Sequence, residues 1–197
     1  VIGHHAVIRA GSVLGKGVQV GDHSVIGKPP FKAALSAITK NEELPPCEIG
    51  DSVVIGAHVV VYRGCKLATK VFVADFASIR ENVTVGEMTI IGRGVTIENK
   101  CKVGSKCKIE TEAYICALSE IGDGCFVAPE VTFTNDNFMA RWKERFKYHK
   151  GVTMLRGARI GALTTWTGSS CPAWGSYPRS RPGTSCRRDR HGWLRGS

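Results

Sequence analysis

Residues 49–97 read IGDSVVIGAHVVVYRGCKLATKVFVADFASIRENVTVGEMTIIGRGVTI, and they are understood by counting in sixes. Ile49, Ile55, Val61, Leu67, Val73, Ile79, Val85, Ile91 and Ile97 stand six residues apart, and the series runs on through Val103, Ile109, Ile115, Ile121 and Val127 to Phe133. Two residues before each comes something small or branched, including Cys47, Val53, Val59, Cys65, Ala77, Thr89, Cys101 and Ser119. A helix repeats every 3.6 residues and a strand every two, so neither sustains a period of six. A short fixed period marks a solenoid, whose units bury their apolar faces only by stacking on one another.

Side chains on a strand alternate faces, so the aliphatic residue and the residue two before it both point inward. The positions between turn a corner, where Gly, Asn, Asp and Lys are tolerated. Three short faces close a coil of 18 residues, and coils stack ~4.8 Å apart, the spacing of hydrogen-bonded strands. The expected fold is all-β, a triangular parallel β-helix. The period also sorts the cysteines: Cys47, Cys65, Cys101, Cys107 and Cys125 all take the small inward slot, where a free thiol is a good apolar filler. No CxxC occurs. Disulfide and zinc frameworks need other spacings, so a reduced, cytoplasmic protein is expected.

The repeat begins with Ile2, Ile8, Leu14, Val20 and Ile26, and it breaks at 28–48, where Pro29-Pro30 and Pro45-Pro46 flank Phe31, Leu35 and Ile38 at helical spacing. A second excursion, 135–153, carries Met139, Trp142 and Phe146 on one helical face. Long ejections from a solenoid are usually functional. Met154 and Ile160, with Ala158 in the small slot, restore the period. The β-helix domain is therefore expected over 1–162 and an irregular tail over 163–197. That tail reads either as disorder or as a shift of frame after Ala162. Ser169–Trp174 can be encoded by bases that spell Leu-Leu-Pro-Gly-Val one frame over, a pentapeptide typical of a further coil. The chain starts inside a hexad at Val1, so an upstream piece is an open expectation.

The net charge is +10, of which the tail's six Arg and one Asp supply +5. The body lacks the aromatic–basic interleaving that stacks bases, so no nucleic acid is expected. A mildly basic surface suits an anionic small substrate equally well. No transmembrane run is present in the sequence.

Beyond the period, Val127-Ala128-Pro129-Glu130-Val131-Thr132-Phe133-Thr134-Asn135-Asp136-Asn137 followed by Arg141, and Gly151-Val152 leading to Arg156-Gly157-Ala158-Arg159-Ile160-Gly161, carry a more specific signal. Ile79–Gly86 and Ile91–Val95 add to it. These segments resemble bacterial hexapeptide-repeat acyltransferases that N-acetylate nucleotide-linked amino sugars with acetyl-CoA. The resemblance covers roughly residues 1–162. It implies a left-handed coil, a homotrimer, and acetyl-CoA and sugar held between neighbouring prisms. It also implies a role in cell-surface polysaccharide synthesis, with UDP or dTDP as the nucleotide and no metal. The thioester arrives activated, so the protein need only hold a neutral amine against it and stabilise an oxyanion.

Glu112 and Glu130, 18 apart, are expected to stack at one corner with Glu110 beside them. Relatives use this region to contact the amino sugar, and Glu112 is the candidate to orient or deprotonate an ammonium. Asn135 and Asp136 match the substrate-side motif, though Asn-Asp is also ordinary turn chemistry. Arg141 and Glu130 complete the candidate substrate contacts. His149 is a candidate base, and His58 is a second. The resemblance assigns Arg156, Gly157, Ala158 and Gly161 to the cofactor. Arg80 and Glu98 also stack by 18 and read as an exposed ion pair. His5 and His23 do likewise, which raises a zinc enzyme of γ-type carbonic anhydrase kind, but no third ligand comes at suitable spacing. The other competing reading is a catalytically inert or truncated prism, because in relatives the coils beyond Ala162 complete the cofactor groove.

Overall fold

In a computed structural model, the described residues are 1–32, 34, 43–136, 141, 149–167, 170 and 171. The strands are short, mostly of two residues, and every pairing is parallel. They form three sheets, the faces of a prism. The first face holds eight strands, from Val7–Ile8 to Thr165–Thr167. The second holds eight, from Val13–Leu14 to Ser170–Cys171, and the third seven, from Gln19–Val20 to Arg159–Ile160.

Register follows the 18-residue coil, so that Val61, Ile79, Ile97 and Ile115 lie above one another on the first face. All four are fully buried. Across the first excursion the step lengthens to 35 residues, as from Ser24 to Val59, and across the second to 33, as from Ser119 to Val152. The column therefore resumes in register after both interruptions. The helical readings at Leu35–Ile38 and at Met139, Trp142 and Phe146 lie outside the described residues.

The small inward slot behaves as its chemistry requires. Cys47, Cys65, Cys101, Cys107 and Cys125 are buried free thiols. At Thr89 and Ser24 the slot holds a hydroxyl that bridges adjacent coils, whereas the buried Ser12 hydroxyl has no partner among the described residues. Thr89 Oγ1 donates to Gly104 O at 2.8 Å and accepts from Cys107 N at 3.0 Å. Ser24 Oγ likewise donates to Gly56 O at 2.8 Å and accepts from Val59 N at 2.9 Å. Thr89→Val keeps the shape but leaves the Cys107 N–H and the Gly104 carbonyl without that partner. It is expected to lower stability by about 1–3 kcal/mol, read from the urea midpoint. A loss below the error of that measurement would mean the two groups find other partners.

The column runs beyond the boundary expected at Ala162. Thr165–Thr167 pairs with Thr132–Thr134, placing Trp166 opposite Phe133, and Ser170–Cys171 pairs with Thr153–Met154. Trp166 packs against the core. Its position is six after Ile160, with Thr164 in the small slot. The period therefore persists one hexad further, with an aromatic residue in place of an aliphatic one. The rest of the tail lies outside the described residues.

Candidate functional site

Each corner of the prism turns through the left-handed backbone region, and residues at equivalent corners stack. The edge between the third and first faces carries His5, His23, His58, Phe76, Gly94, Glu112, Glu130 and Leu163, with φ between 55° and 67°. Backbone bonds tie this column together, among them Phe76 N to Ala57 O at 3.0 Å, Gly94 N to Asp75 O at 2.9 Å, Glu112 N to Arg93 O at 2.9 Å and Glu130 N to Thr111 O at 3.0 Å. The side chains follow the same ladder. The His5 and His23 rings lie 5.0 Å apart, His23 and His58 5.0 Å apart, and His58 and Phe76 5.2 Å apart with 1° between their planes.

Glu112 and Glu130 stand on this edge as the 18-residue count requires, and Glu110 sits just before the corner. Glu112 does not point straight out. A Cβ added at Gly94 would lie 2.5 Å from Glu112 Oε2 and 2.6 Å from its Cδ, so the carboxylate is folded back over the glycine one coil below. Arg93 holds it there, with Nη1 3.1 Å from Glu112 Oε1. Both side chains are about half exposed (56% and 46%), so the pair contributes little stability and exchanges partners readily.

The next edge, between the first and second faces, carries Glu81, Asn99, Ala117 and Asn135. Asn135 Nδ2 donates to Ala117 O at 3.2 Å. Asp136 and His149 are half-buried and engaged with other residues, while Arg141 is exposed. The reading of Arg80 and Glu98 as an exposed pair needs correcting. Their side chains are only 23% and 24% exposed, and at 3.6 Å Glu98 is the more distant of two carboxylates. The nearer is Glu81, at 2.9 Å from Arg80 Nε and 3% exposed. Asn99 Nδ2 donates to the same carboxylate at 3.3 Å, and the Tyr62 ring lies 4.9 Å from the Arg80 guanidinium carbon. Burial alone would lower the Arg80 pKa, but the hydrogen bond and charge of Glu81 outweigh it and hold the guanidinium above its usual value.

The third edge carries Arg156 and Gly157, where Gly157 N donates to Asp123 O at 2.8 Å. Among the described residues, nothing lies within 4 Å of where a Cβ would stand at Gly157 and Gly161. Ala158, the third residue assigned to the cofactor, lies in the small inward slot. It is fully buried, its N–H is spent on Leu155 O at 2.9 Å, and its carbonyl accepts from Phe126 N at 2.9 Å. Its place in the small slot identifies it as core.

One chain thus brings Glu110, Glu112 and Glu130 together on one edge but leaves Asn135 and Asp136 on a second and Arg156 on a third. Sequence counting overlooks Phe76, Arg93 and Gly94, although Phe76, Gly94 and Glu112 succeed one another by 18. All six described thiols are buried, so none is presented to a substrate. Burial pushes Cys47 and Cys101 up to about 12 and Cys65 higher still, while a hydrogen bond donated by the Cys125 thiol to Cys107 raises Cys125 and lowers Cys107 to about 7, though Cys107 is only 1% exposed. Among the described residues, no group of three or more His, Cys, Asp or Glu is placed to hold a metal ion, and no helix is long and apolar enough to cross a membrane.

Against this geometry, comparison with solved structures is informative. A UDP-N-acetylglucosamine acyltransferase from Francisella novicida matches 84% of this chain with a TM-score of 0.64 at 16% identity. Perosamine N-acetyltransferase from Caulobacter crescentus, solved with CoA and GDP-perosamine, matches 61% with a TM-score of 0.51 at 20% identity. The acetyltransferase domain of PglB from Neisseria gonorrhoeae, solved with acetyl coenzyme A, matches 64% with a TM-score of 0.51 at 21% identity. The matched part is about half of each of these proteins, at 55%, 49% and 53% of their lengths. No family model and no curated protein sequence matches the chain. Together with the three all-parallel faces, these likenesses define the fold as a left-handed parallel β-helix, the fold of these acyltransferases.

Proposed function

We propose that this chain belongs to an acetyl-CoA-dependent N-acetyltransferase acting on a UDP- or dTDP-linked amino sugar, in cell-surface polysaccharide synthesis in the cytoplasm. The observation that carries the reading is the Glu112 carboxylate, half exposed on a rigid edge, held by a weak pair over a glycine and flanked by Glu110 and Glu130. Such a group orients an ammonium, holds the proton that the amine must lose before it attacks, and has a water-facing route for releasing it. Asn135 and Asp136 occupy a different edge, so the reading requires identical copies, most simply three, packed so that the edge of one faces that of the next. Arg141 and Glu130 then contact the sugar nucleotide and His149 stands as a second base.

The third edge fits an anionic carrier such as coenzyme A. Among the described residues Gly157 leaves open space at its Cβ position and Arg156 is exposed beside it to meet phosphate, while Gly161 stands at the far end of the following strand, next to the edge of Leu163. Bound there, acetyl-CoA supplies an activated acyl group. The chain's own part is to exclude water, align the amine and take its proton. In the transfer, the amine nitrogen bonds to the acyl carbon, the carbon–sulfur bond breaks, and the departing thiolate is protonated from solvent.

The test is thiol release from acetyl-CoA by purified protein in the presence of a panel of UDP, dTDP and GDP amino sugars. Release that depends on one amino sugar, with its N-acetyl product, is the expected result. No release with any acceptor at millimolar acetyl-CoA would leave the inert-prism reading standing.

A further inference from the structure

The ladder of rings on the edge between the third and first faces stops at Gly94, where a carboxylate occupies the level of the next side chain. Phe76 lies parallel to His58, so its second face looks along the column toward the level of Gly94. The Gly94 position has no side chain, and the Glu112 carboxylate is folded down into the space it leaves. The Phe76 face lies one coil spacing, ~4.8 Å, below the level of Gly94, and the carboxylate comes down toward that level from the coil above. That face is the negative side of the ring quadrupole, so carboxylate and ring repel unless a cation lies between or beside them. Arg93 reaches the carboxylate from the side. Phe76 is 59% exposed, which leaves its free face open to solvent.

We propose that the notch over Gly94 is a binding site for an organic ammonium ion, with the Phe76 ring as its floor and the Glu112 carboxylate as its ceiling. The ring attracts the cation's charge and apolar stem, and the carboxylate accepts its N–H bonds. Arg93 yields its place because an exposed ion pair holds it only weakly. The proposal deepens the acetyl-transfer reading, on which it rests, by giving the acceptor amine a second recognition element, the Phe76 face, that the family resemblance does not supply. Gly94 is required because any Cβ there would overlap the carboxylate; its φ of +67° does not by itself demand glycine, since Leu118 adopts the same value.

The test uses n-propylammonium chloride as probe, titrated into the protein without acetyl-CoA, against sodium chloride at equal ionic strength and against neutral 1-propanol. The amide resonances of Gly94 and Glu112 are expected to shift saturably with the ammonium and not with either control. Phe76→Leu is expected to weaken that binding roughly two- to fivefold, and Glu112→Gln by at least as much. Leucine is accommodated at such corners, as Leu118 and Leu163 show with φ of 67° and 58°. Gly94→Ala, which fills the notch, provides a second variant and is expected to abolish the shift. An absent shift, an equal response to 1-propanol, or undiminished binding by both Phe76→Leu and Gly94→Ala overturns the proposal. Ammonium binding without thiol release would remove the acetyl-transfer reading and keep the notch. Thiol release without ammonium binding would do the reverse.

Discussion

Replacing Glu112 with Gln is expected to cut sugar-dependent thiol release by about 10²- to 10⁴-fold, the range typical of a lost general base. Glutamine keeps the length and one acceptor oxygen but has no charge with which to hold an ammonium and cannot take its proton. The loss is expected mainly in kcat at alkaline pH, where the amine arrives neutral and only alignment and proton removal are missing. Near neutrality KM should rise as well, because the attraction for the charged amine is gone. The substitution should leave the fold intact, since the carboxylate is half exposed and its pair with Arg93 contributes little. Measured rates within threefold of the parent, with the same pH profile, would remove Glu112 from the chemistry. His149 would then be the next base to test.

The second large effect concerns stability. Arg80→Met takes the guanidinium from Glu81, a carboxylate only 3% exposed that it meets at 2.9 Å. Breaking a buried pair from one side costs about 3–5 kcal/mol, because a desolvated charge is left behind. Removing both charges with Arg80→Met and Glu81→Leu together is expected to restore most of that loss, since an apolar replacement incurs no such penalty. Urea unfolding of the two single variants and the double variant decides the matter. If the single Arg80→Met variant lies within 1 kcal/mol of the parent, Glu81 is held by its other contacts, Asn99 among them, and the guanidinium is incidental.

Much of this architecture can be read from the chain because a solenoid is a counting problem. The inward series ending at Phe133, the five thiols in the small slot, and the stacking of Glu112 with Glu130 and of His5 with His23 all come from periods of six and 18. Counting fails where the period is interrupted. His58 lies over His23 because the first excursion lengthens the step to 35 residues, and no count by 18 joins those two. Trp166 escapes the count because an aromatic residue stands where aliphatic ones are sought. Glu81 is hidden for a different reason. A corner position reads as solvent-facing, and burial there depends on Arg80 and Asn99 arriving from neighbouring positions. Gly94 looks like one more turn glycine, whereas its importance comes from the side chains above and below it.

The claim on which the rest depends is that residues 18 apart lie one above another. Methyl–methyl nuclear Overhauser contacts in a sample labelled at isoleucine and valine methyls test it directly. The fully buried column Val61, Ile79, Ile97, Ile115 predicts contacts between each residue and the next, and Ile91 with Ile109 on another face. Absence of the Ile79–Ile97 and Ile97–Ile115 contacts, with those isoleucines instead contacting residues three or four away, would contradict the column and everything placed on its edges.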